Sequence, residues 1–503
     1  MSKQIFMDKT KDFLFEYKVV LLFAVVCMFT FYHSGLSTTM FFNELSTRFG
    51  RNTIMVLSLL IPVVAGLGLN FGIVLGAMAA QVAMFLVVLW GGSELLGVFY
   101  VALVATPIAI LLGYLMGRMF NSMKGSEMVG GLIAALCADG FYQFLFLFVM
   151  GGLIPIANTR LMTDTGVGVL NAINIGDSPN YMRQAVDDVS MLSILNVAFW
   201  AALALTVALI IFRLAKKQPL TMSGHQGMAR PLSLLVPLSI AYGLTFVHEP
   251  FLYFLYQDRL NGLYGVRIAS LVLGAFQIYN IVRIKYIEKR HGTPVKPMVL
   301  LGIAAAMYLV TLQTVIYSGL ENVGVPVFTY LLIAALCVFI HWFLNTRLGQ
   351  NMRTVGQNRA VATAAGINVD KTRIIAMIMS TVLAAYGQII IIQNFGVMAT
   401  YGAHSEVGRY AVAALLVGGA TVSRASFRHA ILGVLLFHSL FVLAPFASTN
   451  LMNSALIGEY FRVFAANGVI ALALIMHAWQ RVKKINKKEP KPKEPSANVA
   501  TAS

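Results

Sequence analysis

Long apolar runs separated by short polar segments dominate the chain. A run of roughly 17 to 25 apolar residues is long enough to cross a bilayer as a helix. Fourteen runs fit this pattern, although the first and the twelfth are short, so the sequence predicts twelve to fourteen transmembrane helices. The runs are 17–32, 53–69, 71–90, 95–117, 128–150, 191–212, 231–247, 264–282, 298–318, 324–344, 374–394, 410–422, 429–446 and 460–479.

The composition supports this interpretation. Hydrophobic residues make up 58% of the 503-residue chain and charged residues only 11%, whereas about 25% of the residues in soluble domains are charged. The three cysteines all lie in apolar runs, which excludes a disulfide scaffold and a cysteine-built zinc site. The predicted fold is an all-α polytopic integral membrane protein whose transmembrane domain occupies residues 19–480.

The net charge of +17 first suggests a nucleic-acid partner, but its distribution excludes one. With both termini cytoplasmic, 29 of the 37 Lys and Arg residues fall in cytoplasmic segments, as expected because positively charged loops stay on that side. Residues 1–18 then form a cytoplasmic N-terminal segment, and 481–503 a basic, disordered cytoplasmic tail. The same basic surface predicts contact with anionic membrane lipid.

Two segments are longer than the other loops. The outer segment 151–190 is long enough to fold as a small cap, and the inner segment 345–373 contains a short predicted helix at 359–365. Its alanines allow close approach to another surface, and Gly366 suits a helix C-terminal stop. The inner segment is interpreted either as a docking element or as an amphipathic connector lying on the membrane.

Polar side chains inside the apolar runs are candidates for a substrate path. Asp139 is a carboxylate well within a predicted span, and an intramembrane ionisable residue is a functional candidate by default. Amides can donate and accept hydrogen bonds at once, which suits a neutral or zwitterionic solute. Each of these residues has a structural alternative, an interhelical hydrogen bond. The candidates are Asn70, Gln81, Asp139, Gln277, Gln388 and Asn394.

A stretch in the inner segment, GQNMRTVGQNRAVATAAGINVDKTRI, resembles the cytoplasmic coupling loop of permease subunits of bacterial ABC importers. The family serves branched-chain amino acids, simple sugars and nucleosides. A second block, 410–436, is similar to a glycine-rich run of the family, but it has 424–427 where further glycines are expected. A weaker third block covers 65–81. The resemblance extends over about residues 50–150 and 320–445, and the intervening residues have no recognised counterpart, which suggests extra spans around a permease-like core.

The resemblance implies that the loop 345–373 docks on a separate ATPase subunit. The chain has no G-x-x-x-x-G-K-[ST] phosphate loop, so ATP and Mg²⁺ are expected on that partner, with no cofactor in this chain and no enzymatic activity of its own. Arg353 and Arg359 are candidate ionic contacts to the ATPase. The implied coupling residues are Arg353, Gly356, Gln357, Asn358, Arg359, Ala362, Ala364, Ala365, Gly366 and Ile367.

The family further implies a second permease, identical or related, an extracytoplasmic solute-binding protein, and a location in the bacterial cytoplasmic (inner) membrane. Two other functions stay open. A secondary transporter driven by an ion gradient would use Asp139 as its proton or sodium site. A membrane-embedded enzyme or a metal site would need clustered polar residues at one depth, but the nine histidines are scattered singly.

Overall fold

The computed structural model describes residues 18–156, 158, 160–176, 189–215, 261–282, 300–305, 308 and 323–486. Helices form nearly all of this part of the chain. They are α1 (Lys18–Ser34), α2 (Thr38–Ser58), α3 (Leu60–Val64), α4 (Ile73–Leu89), α5 (Glu94–Ser122), α6 (Glu127–Phe144), α7 (Met191–Ala215), α8 (Asn261–Val282), α9 (Val327–Asn345), α10 (Arg347–Gln357), α11 (Arg359–Ala364), α12 (Val369–Phe395), α13 (Ala403–Val417), α14 (Phe427–Met452) and α15 (Ala455–Asn486).

A π-helix at Leu145–Val149 and a three-residue helix at Met150–Gly152 continue α6. Two short antiparallel strand pairs are also present among the described residues. Strand β1 (Ala172–Asn174) pairs with β4 (Val397–Ala399), and β2 (Val189–Ser190) pairs with β3 (Gly324–Val325). The chain divides into two compact units. The first contains 1–37, 44–187 and 326–503, and the second contains 38–43 and 188–325. In the second unit, the Asn43 side chain accepts a hydrogen bond from the Gly324 amide at β3.

Helix α12 is the centre of the first unit and packs against α4 and α5. Glycines allow this close packing. A Cβ atom at Gly113 would lie 2.8 Å from Ile378 Cα, and one at Gly117 would lie 2.8 Å from Ile374 Cα. The backbones of α5 and α12 can therefore approach each other along a shared glycine face, which is a common solution in membrane helix packing.

The two ends of α12 carry different structures. At its N-terminal end, the loop that contains Lys124 and the segment 347–373 meet, as shown by the Lys124–Asp370 ion pair of 3.1 Å. At its C-terminal end, residues 160–176 pack over the turn into α13, where the Tyr401 hydroxyl donates to Val169 O at 2.8 Å. The predicted outer and inner segments thus lie at opposite ends of the same helix.

Six described helices are long and apolar enough to cross a membrane, and three shorter apolar helices accompany them. The predicted all-α membrane fold is confirmed. The run 231–247 and most of 298–318 lie outside the described residues, as do 1–17 and 487–503, so the count of twelve to fourteen spans stays a prediction.

Several predicted boundaries were wrong. Helix α2 begins at Thr38, well before the predicted start at residue 53, because its polar first half forms an amphipathic helix that hydrophobicity alone does not reveal. Helix α15 extends to Asn486, so the first residues of the predicted disordered tail are helical. The turn after α13 forms despite its missing glycines, since Gly419 adopts a φ of 91° there.

Candidate functional site

A cavity of about 570 Å³ lies between α2, α4, α12, α13, α14 and α15 in the first unit. Cavities of this size accommodate small-molecule ligands. Its wall combines apolar and polar side chains. The polar residues that line it are Arg48, Arg51, Asn52, Gln81, Gln388, Glu406, Tyr410, His438 and Arg462.

Two of the predicted path residues, Gln81 on α4 and Gln388 on α12, line this cavity. Both side chains are at most 1% exposed. The Gln81 amide nitrogen donates to Ala399 O at 3.0 Å, which orients its carbonyl oxygen. Neither Oε1 atom receives a hydrogen bond from a described residue. Because an unsatisfied buried acceptor costs free energy, both atoms are suited to bind the hydroxyl or amine of a solute.

Three arginines line the same cavity, and none of them is among the path residues predicted from the sequence. Arg48 and Arg51 are one helical turn apart on α2, and Arg462 is on α15. Arg51 donates to the Asn394 carboxamide oxygen at 2.9 Å and its guanidinium lies 4.3 Å from the Phe395 ring centre. The predicted residue Asn394 therefore positions a cavity arginine. The i, i+3 spacing on α2 was the signal that could have identified this pair.

The other predicted path residues lie elsewhere. The Asn70 amide donates to Ser380 Oγ at 3.3 Å, which joins the start of α4 to α12. Gln277 belongs to α8 in the second unit, where its carbonyl oxygen accepts from Asn280 at 3.5 Å. The contact of Asn70 joins two parts of the fold, as the structural alternative predicts, whereas the contact of Gln277 lies within its own helix.

Asp139 borders a second, smaller cavity of about 230 Å³. Its carboxylate lies 2.6 Å from Nε2 of His404, which is fully buried at the start of α13, and it accepts from Gln143 at 3.1 Å. The ring of Tyr142 packs 4.6 Å from the His404 ring. Asp139 is thus paired across helices, and its sequence neighbour Gly140 faces open space among the described residues.

The predicted short helix in the inner segment is present as α11. The Asn358 side chain caps it by accepting hydrogen bonds from the amides of Ala360 and Val361, and Gly366 ends it at a φ of 76°. Capping by Asn and a left-handed glycine stop are standard helix signals. Of its alanines, Ala362 is buried.

Other residues of α10 and α11 form an exposed surface, which we call the docking face. It consists of Arg353, Gln357, Val361, Ala364 and Ala365. Val361 is 55% exposed, and the small alanine side chains beside it leave the helix backbone accessible. Such a face can receive a closely packed partner. Gly366 and Asn358 flank it, and Ile367 is half-buried behind it.

Glu127, at the start of α6, fastens this segment to the rest of the unit. Its carboxylate lies 2.6 Å from Arg359 on α11 and 2.5 Å from Arg373 on α12. Arg373 is fully buried and the Glu127 side chain is 8% exposed. Arg359, predicted from sequence to contact an ATPase, instead has its carboxylate partner within the chain. We call Glu127, Arg359 and Arg373 the clamp.

A close backbone contact reinforces the clamp. Gly66, in the loop after α3, has a φ of 72°, and a Cβ there would lie 2.7 Å from Gly356 Cα on α10. Arg359 also donates to Gly66 O at 3.3 Å. The docking face is consequently held against α3 and tied to α12, whose other end lines the large cavity through Gln388.

Comparison with known proteins agrees with this arrangement. Over 121 residues the chain is 32% identical to the probable ABC transporter permease protein YphD of Escherichia coli K12, which covers 24% of this chain and 36% of that relative. It is 27% identical over 110 residues to the autoinducer 2 import system permease protein LsrD of E. coli, covering 21% of this chain and 32% of LsrD. The chain thus aligns with about a third of the length of these relatives. No solved structure matches it.

A family profile described as branched-chain amino acid transport system / permease component matches residues 169–476. The match includes 169–320, where no counterpart was recognised from the motifs, and it does not extend to 1–168. The location of the predicted extra spans stays a prediction. The profile covers more than half of the chain, and the chain belongs to the branched-chain amino acid transport permease family.

Proposed function

We propose that this protein is the membrane-spanning permease subunit of an ATP-binding cassette importer, located in the bacterial inner membrane with both termini cytoplasmic. It translocates a small polar solute of the sugar, nucleoside or branched-chain amino acid class. A separate ATPase subunit binds ATP and Mg²⁺ and rests on the docking face. A second permease and an extracytoplasmic solute-binding protein complete the importer.

One observation carries this proposal: an exposed, small-sided helix is linked through the Glu127 carboxylate, which pairs with Arg359 and with the buried Arg373, to the helix that lines a polar cavity. Movement of α11 by a partner would be transmitted through Glu127 and Arg373 to α12. Interiors and interfaces that are tightly packed transmit displacement well because they have little compressible space. The permease family and the names of the two relatives support the same function.

Changing Ala364 to tryptophan tests the docking face. Ala364 is exposed, so the variant is expected to insert and fold, but the large ring would overfill the contact with the ATPase. Overpacking costs about 1–3 kcal/mol, which corresponds to an affinity loss of about 5- to 150-fold. Solute-stimulated ATP hydrolysis, measured in proteoliposomes with the ATPase subunit and the binding protein, should fall accordingly.

The Ala364→Ser variant is the matched control, because it changes the same position with little change in volume. It should retain stimulated hydrolysis near the level of the unmodified protein. Normal stimulation in Ala364→Trp would mean that the segment 345–373 is only a connector between α9 and α12.

A secondary transporter remains the second candidate, because Asp139 and His404 form a pair of ionisable groups beside a cavity. The Asp139→Asn variant distinguishes the two functions. A gradient-driven transporter would lose accumulation, since the carboxylate must take up and release the coupling ion. An ABC importer should still accumulate solute with ATP and no ion gradient, with at most a change in affinity or stability.

The measurement is solute uptake into proteoliposomes that contain the Asp139→Asn variant and the ATPase subunit, without an ion gradient. ATP is supplied on the side of the membrane that the orientation of the protein requires. His404→Gln is a useful companion, since it removes the ionisable partner and leaves the Asp139 carboxylate in place. Uptake that requires a proton or sodium gradient and disappears in Asp139→Asn would contradict the importer function.

A further inference from the structure

One of the three arginines in the wall of the large cavity has no carboxylate in direct contact among the described residues. Arg48 pairs with Glu44 at 3.5 Å and Arg462 pairs with Glu459, one helical turn away on the same helix in each case. Arg51 has no carboxylate within 4 Å among the described residues, and its polar partner is the neutral Asn394. The described part of this wall therefore leaves one positive charge without a direct anionic partner.

Arg48 lies close enough to Arg51 and to Arg462 for the positive charges to repel each other, and the Glu44 carboxylate offsets part of this repulsion at Arg48 and at Arg51. Glu406 also lines the cavity, but its side chain is exposed and no described arginine pairs with it. Concentrating like charges around a partly enclosed space is unfavourable unless an anion enters it.

An unused hydrogen-bond donor occurs in the same wall. The buried Nε atom of Arg462 has no acceptor among the described residues, whereas the Nε atom of Arg48 is the one that faces the Glu44 carboxylate at 3.5 Å. A guanidinium presents its donors in a planar fork that matches a carboxylate or a phosphate. The arginines thus offer both the charge and a free N–H group for an oxyanion.

Unused acceptors occur beside these donors. The Oε1 atoms of Gln81 and Gln388 receive no hydrogen bond from the described residues, and these side chains are 0% and 1% exposed. His438, 5% exposed, contributes an Nδ1 atom that also lacks a described partner. A carboxylate accepts hydrogen bonds but donates none, so a bare anion would leave the two carbonyl oxygens unsatisfied. The complementary ligand carries hydroxyl groups as well as its negative charge.

The geometry points to a hydroxylated organic anion, such as a sugar acid or a sugar phosphate, as the substrate class, with its oxyanion at Arg51 and its hydroxyl groups at Gln81 and Gln388. This inference rests on the proposed function, because it treats the cavity as part of the transport path. It narrows the broad class of small polar solutes to compounds with a single carboxylate or phosphate and several hydroxyl groups.

Three probes of similar size separate the possibilities: glucose, glucuronate and glucose 6-phosphate. Binding to the purified full chain in lipid nanodiscs is measured by titration calorimetry. At least one anionic probe should bind about tenfold or more tightly than glucose, since charge-assisted hydrogen bonds are about twice as strong as neutral ones. A preference for glucuronate identifies a carboxylate site, and a preference for glucose 6-phosphate a phosphate site.

Arg51→Gln should abolish this preference. Arg51→Lys keeps the positive charge without the planar guanidinium, and it should retain part of the preference for the anionic probes. Binding by this variant would also show that a protein changed at position 51 folds. Arg118→Gln is the matched control, because Arg118 is exposed and its described contacts are with Tyr114. It removes the same charge without changing the cavity.

The inference is overturned if glucose binds as tightly as both anions, if none of the three probes binds, or if Arg51→Gln keeps the preference. ATP-driven uptake, assayed with the ATPase subunit and the binding protein, tests the proposed function separately. Uptake of a neutral solute without anion preference would leave the importer function intact and refute the substrate class. Anion binding without any ATP-driven uptake would refute the importer function instead.

Discussion

Replacing Glu127 with alanine is expected to destabilise the protein and to uncouple the docking face from the cavity. The variant would leave the fully buried Arg373 guanidinium without a carboxylate. Breaking a buried ion pair by removing one partner costs about 3–5 kcal/mol, because the remaining charge stays desolvated. Thermal unfolding in detergent should occur at a clearly lower temperature, and solute-stimulated ATP hydrolysis should be lost.

The neighbouring ion pair between Lys124 and Asp370 provides a matched control. Both of its side chains are about half exposed, at 51% and 55%, and exposed pairs contribute about 0–1 kcal/mol. Asp370→Asn should therefore unfold near the temperature of the unmodified protein and keep its coupling. If Glu127→Ala were as stable as Asp370→Asn, the clamp would have no structural role.

Arg359→Met separates uncoupling from loss of stability. It releases α11 but leaves Glu127 paired with the buried Arg373. The Arg359 side chain is 35% exposed, so its removal should change the unfolding temperature little. Stimulated ATP hydrolysis should nevertheless decrease if the clamp transmits motion from the docking face to α12. Undiminished stimulation would assign the clamp to stability alone.

Replacing Gly66 with alanine is expected to detach α10 from α3. The added Cβ would lie 2.7 Å from Gly356 Cα, a backbone atom that cannot rotate away. The positive φ of 72° adds backbone strain of about 1–2 kcal/mol, and overpacking adds about 1–3 kcal/mol. Solute-stimulated ATP hydrolysis should decrease clearly, whereas the unfolding temperature should change less, because only the contact with α10 is disturbed.

Gly366 gives the matched control for this variant. Its φ of 76° is nearly the same, but a Cβ there meets no atom of the described residues within 4 Å. Gly366→Ala therefore carries the backbone strain without the steric contact. The difference between the two variants in unfolding temperature and in stimulated ATP hydrolysis therefore gives the effect of the steric contact between position 66 and Gly356. Equal effects would show that strain alone is responsible.

Much of the structure around the docking face was predictable from sequence. The helix 359–365 follows from local signals, since Asn358 caps its start and Gly366 stops its end. The residues that fasten it were not predictable. Glu127 is 232 positions from Arg359 and 246 from Arg373, and no local periodicity connects residues that far apart.

The residues that line the large cavity were likewise only partly predictable from the sequence. Gln81 and Gln388 stood out as polar residues in apolar runs, and both line the cavity. Arg48 and Arg51 did not, because they precede the first strongly apolar residues of their helix and resemble an ordinary charged loop. Only the packing of α2 against α12, where Arg51 donates to Asn394 and Met55 contacts Gly387, places these two charges in the wall of the cavity.

The membrane class, the permease family and the position of the short helix at 359–365 could be predicted from the sequence, because apolar run length, helix stop signals and motif spacing are properties of neighbouring residues. The cavity shared by distant polar side chains, the pairing of Asp139 with His404 and the contact of Arg359 with Glu127 became visible only in the folded chain. Partners of buried charges are chosen by the packing of distant helices, since a buried charge must find its counterion wherever the fold places one.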